Sequence, residues 1–134
     1  MIPLRDNVPS RRTPFVNYAL IGITAAAFFL QLSQPADEPN YVEQYGMIPA
    51  RVMDPDAEIQ IPDAQAKRTP QGDVVIEETK RPAAPSAVPA WLTLLTCIFL
   101  HGGWMHFLGN TWFLFIFGDN VEDCFGHVQY LLVY

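Results

Sequence analysis

The sequence predicts an all-α membrane protein with two membrane spans, an interfacial helix and the start of a third span. The 134-residue chain sorts its charges, with no Asp, Glu, Lys or Arg from Thr13 to Ala36 or from Ala83 to Gly118. The stretch between these apolar segments, residues 35–89, holds nine of the 12 prolines and 15 of the 22 charges. Such sorting is typical of apolar helices joined by a polar loop, and it argues against one water-soluble core.

The first transmembrane helix is predicted over residues 15–34, after a cytoplasmic N-terminus at residues 1–14. Its apolar run, Phe15–Leu32, has 18 residues, which is roughly 27 Å of helix against a hydrocarbon core of about 30 Å. A cleaved signal peptide is the alternative, because basic residues precede the run. The apolar part of a signal peptide is about 7–15 residues long, so a retained span is favoured.

The charge distribution predicts the topology. The first 14 residues carry one aspartate and three arginines, Arg5, Arg11 and Arg12. Residues 35–89 carry five basic and ten acidic side chains. Since positive charge stays inside, we expect an integral, multi-pass protein of a bacterial inner membrane with its N-terminus in the cytoplasm. The chain has no basic stripe for phosphates, and we therefore expect no nucleic-acid partner.

Residues 35–89 are predicted to be a polar, Pro-rich, acidic loop. Within it, Tyr41–Val52 has enough apolar residues to pack against another segment of the protein. The rest, residues 51–85, is rich in Pro, Ala and acidic residues, and we expect a flexible insertion there. A short β-like run at Val74–Ile76 is the exception.

The C-terminal part is predicted to hold three helical segments. Residues 90–103 are expected to form a short interfacial helix and a Gly-Gly turn, followed by the second transmembrane helix at residues 104–125. One continuous helix from Ala90 to Phe117 is the alternative, but it would place two glycines and two histidines in mid-membrane. Gly126 suits a helix C-terminal cap. Residues 127–134 then read as the start of a third, truncated span of a larger membrane protein.

Two polar side chains in the second span are the candidates for chemistry. His106 and Asn110 are four residues apart and therefore lie about 40° apart on one helix face. Polar side chains are expensive inside a membrane and usually have a function, and a pair of neutral donors suits the stabilisation of an oxyanion. Interhelical hydrogen bonding is the alternative. His101 is five residues before His106 and is expected to point elsewhere, near the water boundary.

Metal and cofactor sites are not expected. His101 and His106 do not share a helical face, and no carboxylate lies near them in the sequence. The two cysteines, Cys97 and Cys124, have no metal-ligand spacing and are interpreted as small apolar residues.

Two stretches carry a resemblance to a known family. Residues 101–110 are His-Gly-Gly-Trp-Met-His-Phe-Leu-Gly-Asn, and residues 113–127 are Phe-Leu-Phe-Ile-Phe-Gly-Asp-Asn-Val-Glu-Asp-Cys-Phe-Gly-His. Together they resemble the second transmembrane region of rhomboid intramembrane serine proteases. Tyr45–Arg51, Tyr-Gly-Met-Ile-Pro-Ala-Arg, is similar to the loop after the first helix of that family. The combination of His-x-x-x-Asn with Gly118-x-x-x-Glu122 is quite specific to it.

The resemblance implies a rhomboid-like helical bundle and a serine endopeptidase that hydrolyses peptide bonds of transmembrane substrates in the lipid bilayer. In such an enzyme His106 and Asn110 would form the oxyanion hole, His101 would line the cavity and Glu122 would be structural. The implied Ser-His dyad, with its Gly-x-Ser-Gly motif, has no match in this sequence, so we expect this chain to be inactive alone. A non-catalytic rhomboid-like protein that binds membrane clients is the alternative.

Overall fold

A computed structural model describes residues 11–35, 39–68 and 73–134. Arg5, on which part of the topology prediction rests, lies outside these residues. The chain forms two compact units, one of residues 1–34 and 99–134 and the other of residues 35–98. The elements, in chain order, are α1 (Phe15–Leu32), α2 (Tyr41–Tyr45), α3 (Pro49–Met53), β1 (Gln60–Arg68), β2 (Val74–Pro82), α4 (Thr93–Thr96) between 3₁₀ turns at Ala90–Leu92 and Cys97–Phe99, α5 (Trp104–Phe125) and α6 (His127–Val133).

Helix α1 packs against α5 and α6 in the first unit. Its buried residues are Asn17, Leu20, Thr24 and Phe28, spaced three or four apart, so they form a single stripe along the helix. Apart from Gln31, the rest of α1 is largely apolar and exposed. An apolar surface of this kind is expected of a helix whose other face contacts lipid.

Helix α1 is long and apolar enough to cross a membrane, and it is the one helix of the described residues that is so by itself. Helix α5 is long enough, but its last turns carry Asp119, Glu122 and Asp123. It reaches the same apolarity only when residues 90–99 are counted with it. The second membrane span therefore stays a prediction.

Helices α5 and α6 are separated by the single residue Gly126. Its φ is 78°, a left-handed value that glycine adopts without the steric cost that a Cβ imposes. The Gly126 N–H donates to the Glu122 carbonyl at 2.8 Å, and its carbonyl accepts the Tyr130 N–H at 2.9 Å. Gly126 thus ends one helix and begins the next.

The described residues are mostly helical, as predicted, but the second unit also contains a β-hairpin, so the fold is not all-α. Strands β1 and β2 pair antiparallel, from Gln60 opposite Pro82 to Arg68 opposite Val74. The β-like run Val74–Ile76 lies at the start of β2. Strands β1 and β2 thus lie within the predicted flexible insertion of residues 51–85, and their pairing supplies hydrogen bonds to a backbone that its prolines keep out of long helices.

A carboxylate joins the base of the hairpin to α2 within this unit. Both Glu43 oxygens accept from the Arg81 guanidinium, at 2.6 and 3.1 Å. The Ala84 N–H also donates to Glu43, at 2.9 Å. The hydrogen bond and positive charge of Arg81, together with the hydrogen bond from the Ala84 N–H, hold the pKa of Glu43 below its ordinary value. Partial burial of Glu43 opposes this shift.

Candidate functional site

The candidate site lies where the turn at residues 101–103 leads into α5. Gly103 is the N-cap residue of α5, and its carbonyl accepts the Phe107 N–H at 3.0 Å. His106 and Asn110 follow in the first two turns of the helix, and both side chains are exposed. His101 precedes the turn and is 2% exposed. The helix start thus gathers two histidines and an asparagine.

The expectation that His101 points away from this pair is wrong. Its ring centroid is 5.1 Å from that of His106, and its Nε2 is 3.3 Å from Nδ2 of Asn110. The ring also packs edge-on against Phe28 and Phe107. Helical spacing from His106 misplaced His101 because residues 101–103 are a turn rather than a continuation of α5.

Hydrogen bonding determines the tautomer of His101. Its Nδ1 is 3.2 Å from the carbonyl oxygen of Phe99, which can only accept, so Nδ1 carries the proton. The unprotonated Nε2 then accepts from the Asn110 amide. Burial of the ring, together with the nearby His106, lowers the pKa of His101, although the bond to Phe99 opposes this. The neutral form is therefore favoured at neutral pH.

The side chain of His106 is oriented by the turn as well. The backbone N–H of Gly102 points at its Nδ1, with 3.5 Å between the two nitrogens. A ring whose Nδ1 accepts carries its proton on Nε2, and that N–H is then available to a ligand. Asn110 uses one amide hydrogen for His101 and keeps a second. Two side-chain donors are thus exposed one turn apart on α5.

The interhelical alternative for this pair has no support among the described residues. The hydrogen bonds of His106 and Asn110 go to Gly102 and His101, in the turn before α5, and not to α1. A metal site is not indicated either, since no group of three or more His, Cys, Asp or Glu residues in the described part of the chain could hold an ion.

Glu122 lies at the other end of α5, where it organises a buried polar cluster. Its carboxylate is 1% exposed and accepts the backbone N–H groups of Val16 and Asn17, at 3.1 and 2.7 Å. The Nδ1 of His127 lies 2.5 Å from the same carboxylate. Helix α1 has no side-chain cap of its own, so Glu122 supplies acceptors for N–H groups that a helix N-terminus leaves unpaired.

Asn17 completes this cluster and was not identified from the sequence. Its Nδ2 donates to the Leu114 carbonyl at 2.9 Å, and its Oδ1 accepts the Tyr130 hydroxyl at 2.9 Å. A Cβ at Gly118 would overlap the Asn17 amide, so Gly118 permits the close approach of α1 to α5. The sequence signal was a polar residue inside an otherwise apolar run.

Gln31, in the last turn of α1, is a second residue that sequence reasoning missed. Its side-chain amide forms hydrogen bonds with both the backbone carbonyl and the backbone N–H of His101. The signal is periodic: Asn17, Thr24 and Gln31 are the polar residues of α1 and are spaced by seven, which places them on one helix face.

The comparison with known proteins bears on this part of the chain. Residues 89–134 match the family model of the rhomboid domain. No curated protein and no solved structure matches the chain. The matched stretch contains α5 and α6. It includes the four residues to which the resemblance gives a role: His101, His106, Asn110 and Glu122. Residues 89–134 are therefore similar to the rhomboid domain, as the resemblance predicts.

Proposed function

We propose that this chain is part of a rhomboid-type intramembrane serine endopeptidase, in which His106 and Asn110 stabilise the oxyanion. Rhomboid proteins are in general intramembrane proteases, and the match at residues 89–134 supports this class. The observation that carries the residue assignment is the pair of exposed side-chain donors at the start of α5. Neither donor is used to join α5 to α1.

The chemistry that this pair can perform is electrostatic. When a serine hydroxyl attacks a peptide carbonyl, the carbonyl oxygen becomes an anion, and fixed N–H donors stabilise it more than they stabilise the neutral carbonyl. The Nε2–H of His106 and the second amide hydrogen of Asn110 are two such donors. The nucleophile and the base implied by the family have no matching motif in this sequence. The role of this chain in the reaction is therefore to hold the oxyanion.

The substrate follows from the class of enzyme. A site on a helix that begins beside the apolar end of α1 would receive a peptide bond near the end of a substrate's transmembrane segment. The protein would be multi-pass, with its N-terminus in the cytoplasm. Its partners would be transmembrane proteins and the bilayer, and no cofactor is required for acyl transfer to serine.

A non-catalytic, client-binding protein of the same family is the second candidate. The full-length gene product, purified in detergent and mixed with a fluorescent transmembrane reporter, distinguishes the two. A protease produces a discrete fragment and reacts covalently with a fluorophosphonate probe. Retention of the uncleaved reporter, with no probe labelling, would contradict the protease assignment and favour client binding.

A further inference from the structure

The side chain of Gln31, in the last turn of α1, forms two hydrogen bonds with the turn before α5. Nε2 of Gln31 donates to the His101 carbonyl at 2.5 Å, and Oε1 of Gln31 accepts the His101 N–H at 3.2 Å. One amide thereby satisfies both hydrogen-bonding groups of one peptide residue. This two-point contact fixes where His101 stands relative to α1, and it fixes the orientation of its backbone.

The ring of His101 is fixed in turn. Phe28 and Phe107 contact it edge-on, with centroid distances of 6.0 and 5.6 Å. The Phe99 carbonyl accepts from Nδ1. With its proton held on Nδ1, the ring presents a bare Nε2 to Asn110, and this nitrogen can only accept.

An acceptor at this position selects one orientation of the Asn110 side chain. The carboxamide of an asparagine can rotate by 180° about the Cβ–Cγ bond, which exchanges the positions of its oxygen and its NH₂ group. The His101 Nε2 attracts the NH₂ group and repels the oxygen. The second N–H of the same group then remains for an oxyanion, whereas the flipped amide would expose an oxygen lone pair to it.

We propose that Gln31 and His101 are positioning residues that hold the Asn110 amide with its N–H groups toward the site. This inference rests on the proposed function for its consequence in catalysis, but the orientation itself is a property of the chain. Gln31 acts through the backbone of His101, and His101 acts through its ring. Neither residue has to touch the substrate.

This orientation of the Asn110 amide requires a neutral His101. Protonation would add a proton to Nε2. The ring would then donate to the Asn110 oxygen, and the Asn110 carboxamide would rotate by 180°. The titratable group facing the ring is His106 of α5, while α1 contributes the uncharged Gln31 and Phe28. Since burial lowers the pKa of His101, activity should fall only on the acid side of the ordinary histidine range.

The first experiment examines the orientation without activity. The 134-residue chain, labelled with ¹⁵N-histidine in detergent micelles, is studied by NMR through the one-bond and two-bond couplings of the imidazole. We expect His101 as the Nδ1–H tautomer, with Nε2 shifted as a hydrogen-bond acceptor, and we expect Asn110→Ala to remove that shift. A His101 ring protonated on Nε2 at neutral pH would overturn the proposal.

The second experiment examines the consequence in the full-length gene product. Gln31→Leu and His101→Leu should each lower kcat about 10–100-fold, the cost expected of a misplaced group, with KM nearly unchanged. His101→Gln keeps an acceptor at the same distance along the side chain and should recover part of the loss. Gln129→Leu is the matched control, since Gln129 is exposed on α6, and should leave kcat unchanged.

The outcomes separate the two proposals. Normal kcat in both Gln31→Leu and His101→Leu, with active wild type, would overturn the positioning role and leave the proposed function standing. A wild-type gene product that cleaves nothing would contradict the proposed function, while the tautomer measurement would still decide the orientation of Asn110.

Discussion

The carboxylate of Glu122 in α5 accepts the backbone N–H of Asn17 in α1, at 2.7 Å and out of contact with solvent. The two residues are 105 positions apart in the sequence, and their contact joins the start of α1 to the end of α5. A negative charge at a helix N-terminus is stabilised by the helix dipole as well as by the hydrogen bonds. The pair is therefore a principal attachment between the two helices.

Glu122→Ala should strongly destabilise the first unit. The substitution leaves the Val16 and Asn17 N–H groups without their acceptor, and a buried donor left unsatisfied costs about 1–3 kcal/mol. Thermal unfolding in detergent, followed by circular dichroism, measures the effect. Asp123→Asn is the matched control, because the one partner of Asp123 among the described residues is the exposed Arg11 N–H. Equal Tm values for the two variants would contradict the role of Glu122.

Gly118→Ala should also destabilise the chain, because the added methyl would overlap the Asn17 amide. Gly109→Ala is the control in the same helix. A Cβ at Gly109 meets nothing within 4 Å in the described residues, so it should be neutral or stabilise the helix by up to about 1 kcal/mol through propensity. Unfolding curves of the two variants give the comparison. A Gly118→Ala protein as stable as Gly109→Ala would show that α1 and α5 do not approach closely there.

The Glu43–Arg81 ion pair should make the second unit less stable in acid. Because Arg81 lowers the pKa of Glu43, the stabilising contribution is present above the pKa of the unfolded state and is lost as the pH falls through the folded-state pKa. Carboxyl NMR titration of Glu43 measures this. Arg81→Gln should raise the Glu43 pKa, whereas Lys80→Gln, at an exposed neighbour, should not. An unchanged Glu43 titration in Arg81→Gln would refute the pairing.

The topology can be tested with single cysteines, because Cys97 and Cys124 are both free. In a Cys97→Ser, Cys124→Ser background, Glu78→Cys on exposed β2 should react with an impermeant maleimide in intact spheroplasts. Cys124, retained alone, is exposed in the last turn of the second predicted span and should react only after permeabilisation. The reverse pattern would place the N-terminus outside the cytoplasm.

Hydrophobic patterning predicted the long helices, since an uninterrupted apolar run such as Phe15–Leu32 has few other structures available. It did not predict the hairpin, because β1 and β2 are stabilised by pairing with each other and most of their side chains are exposed. Strands of that kind have no buried face and therefore no clear alternation.

Motif spacing placed His106 and Asn110 on one face but could not place His101, whose position depends on a turn. Nor could it show that Gln31 reaches the backbone of residue 101, seventy positions away. Polar residues recurring every seven positions in α1 were a usable signal, but the partner of each depended on the packing of α1 against other segments. Thr24 illustrates the limit of that signal, since its buried hydroxyl has no partner among the described residues.

We propose that His106 and Asn110 hold the oxyanion, and one paired measurement tests this most directly. Single-turnover cleavage rate and Tm are determined for His106→Ala and Asn110→Ala in the full-length gene product. Loss of one oxyanion donor should lower the rate roughly 10²–10³-fold, or about 2.7–4 kcal/mol, with Tm nearly unchanged. A lower Tm with a normal rate would mean that the two residues only stabilise the helices, and it would contradict the account.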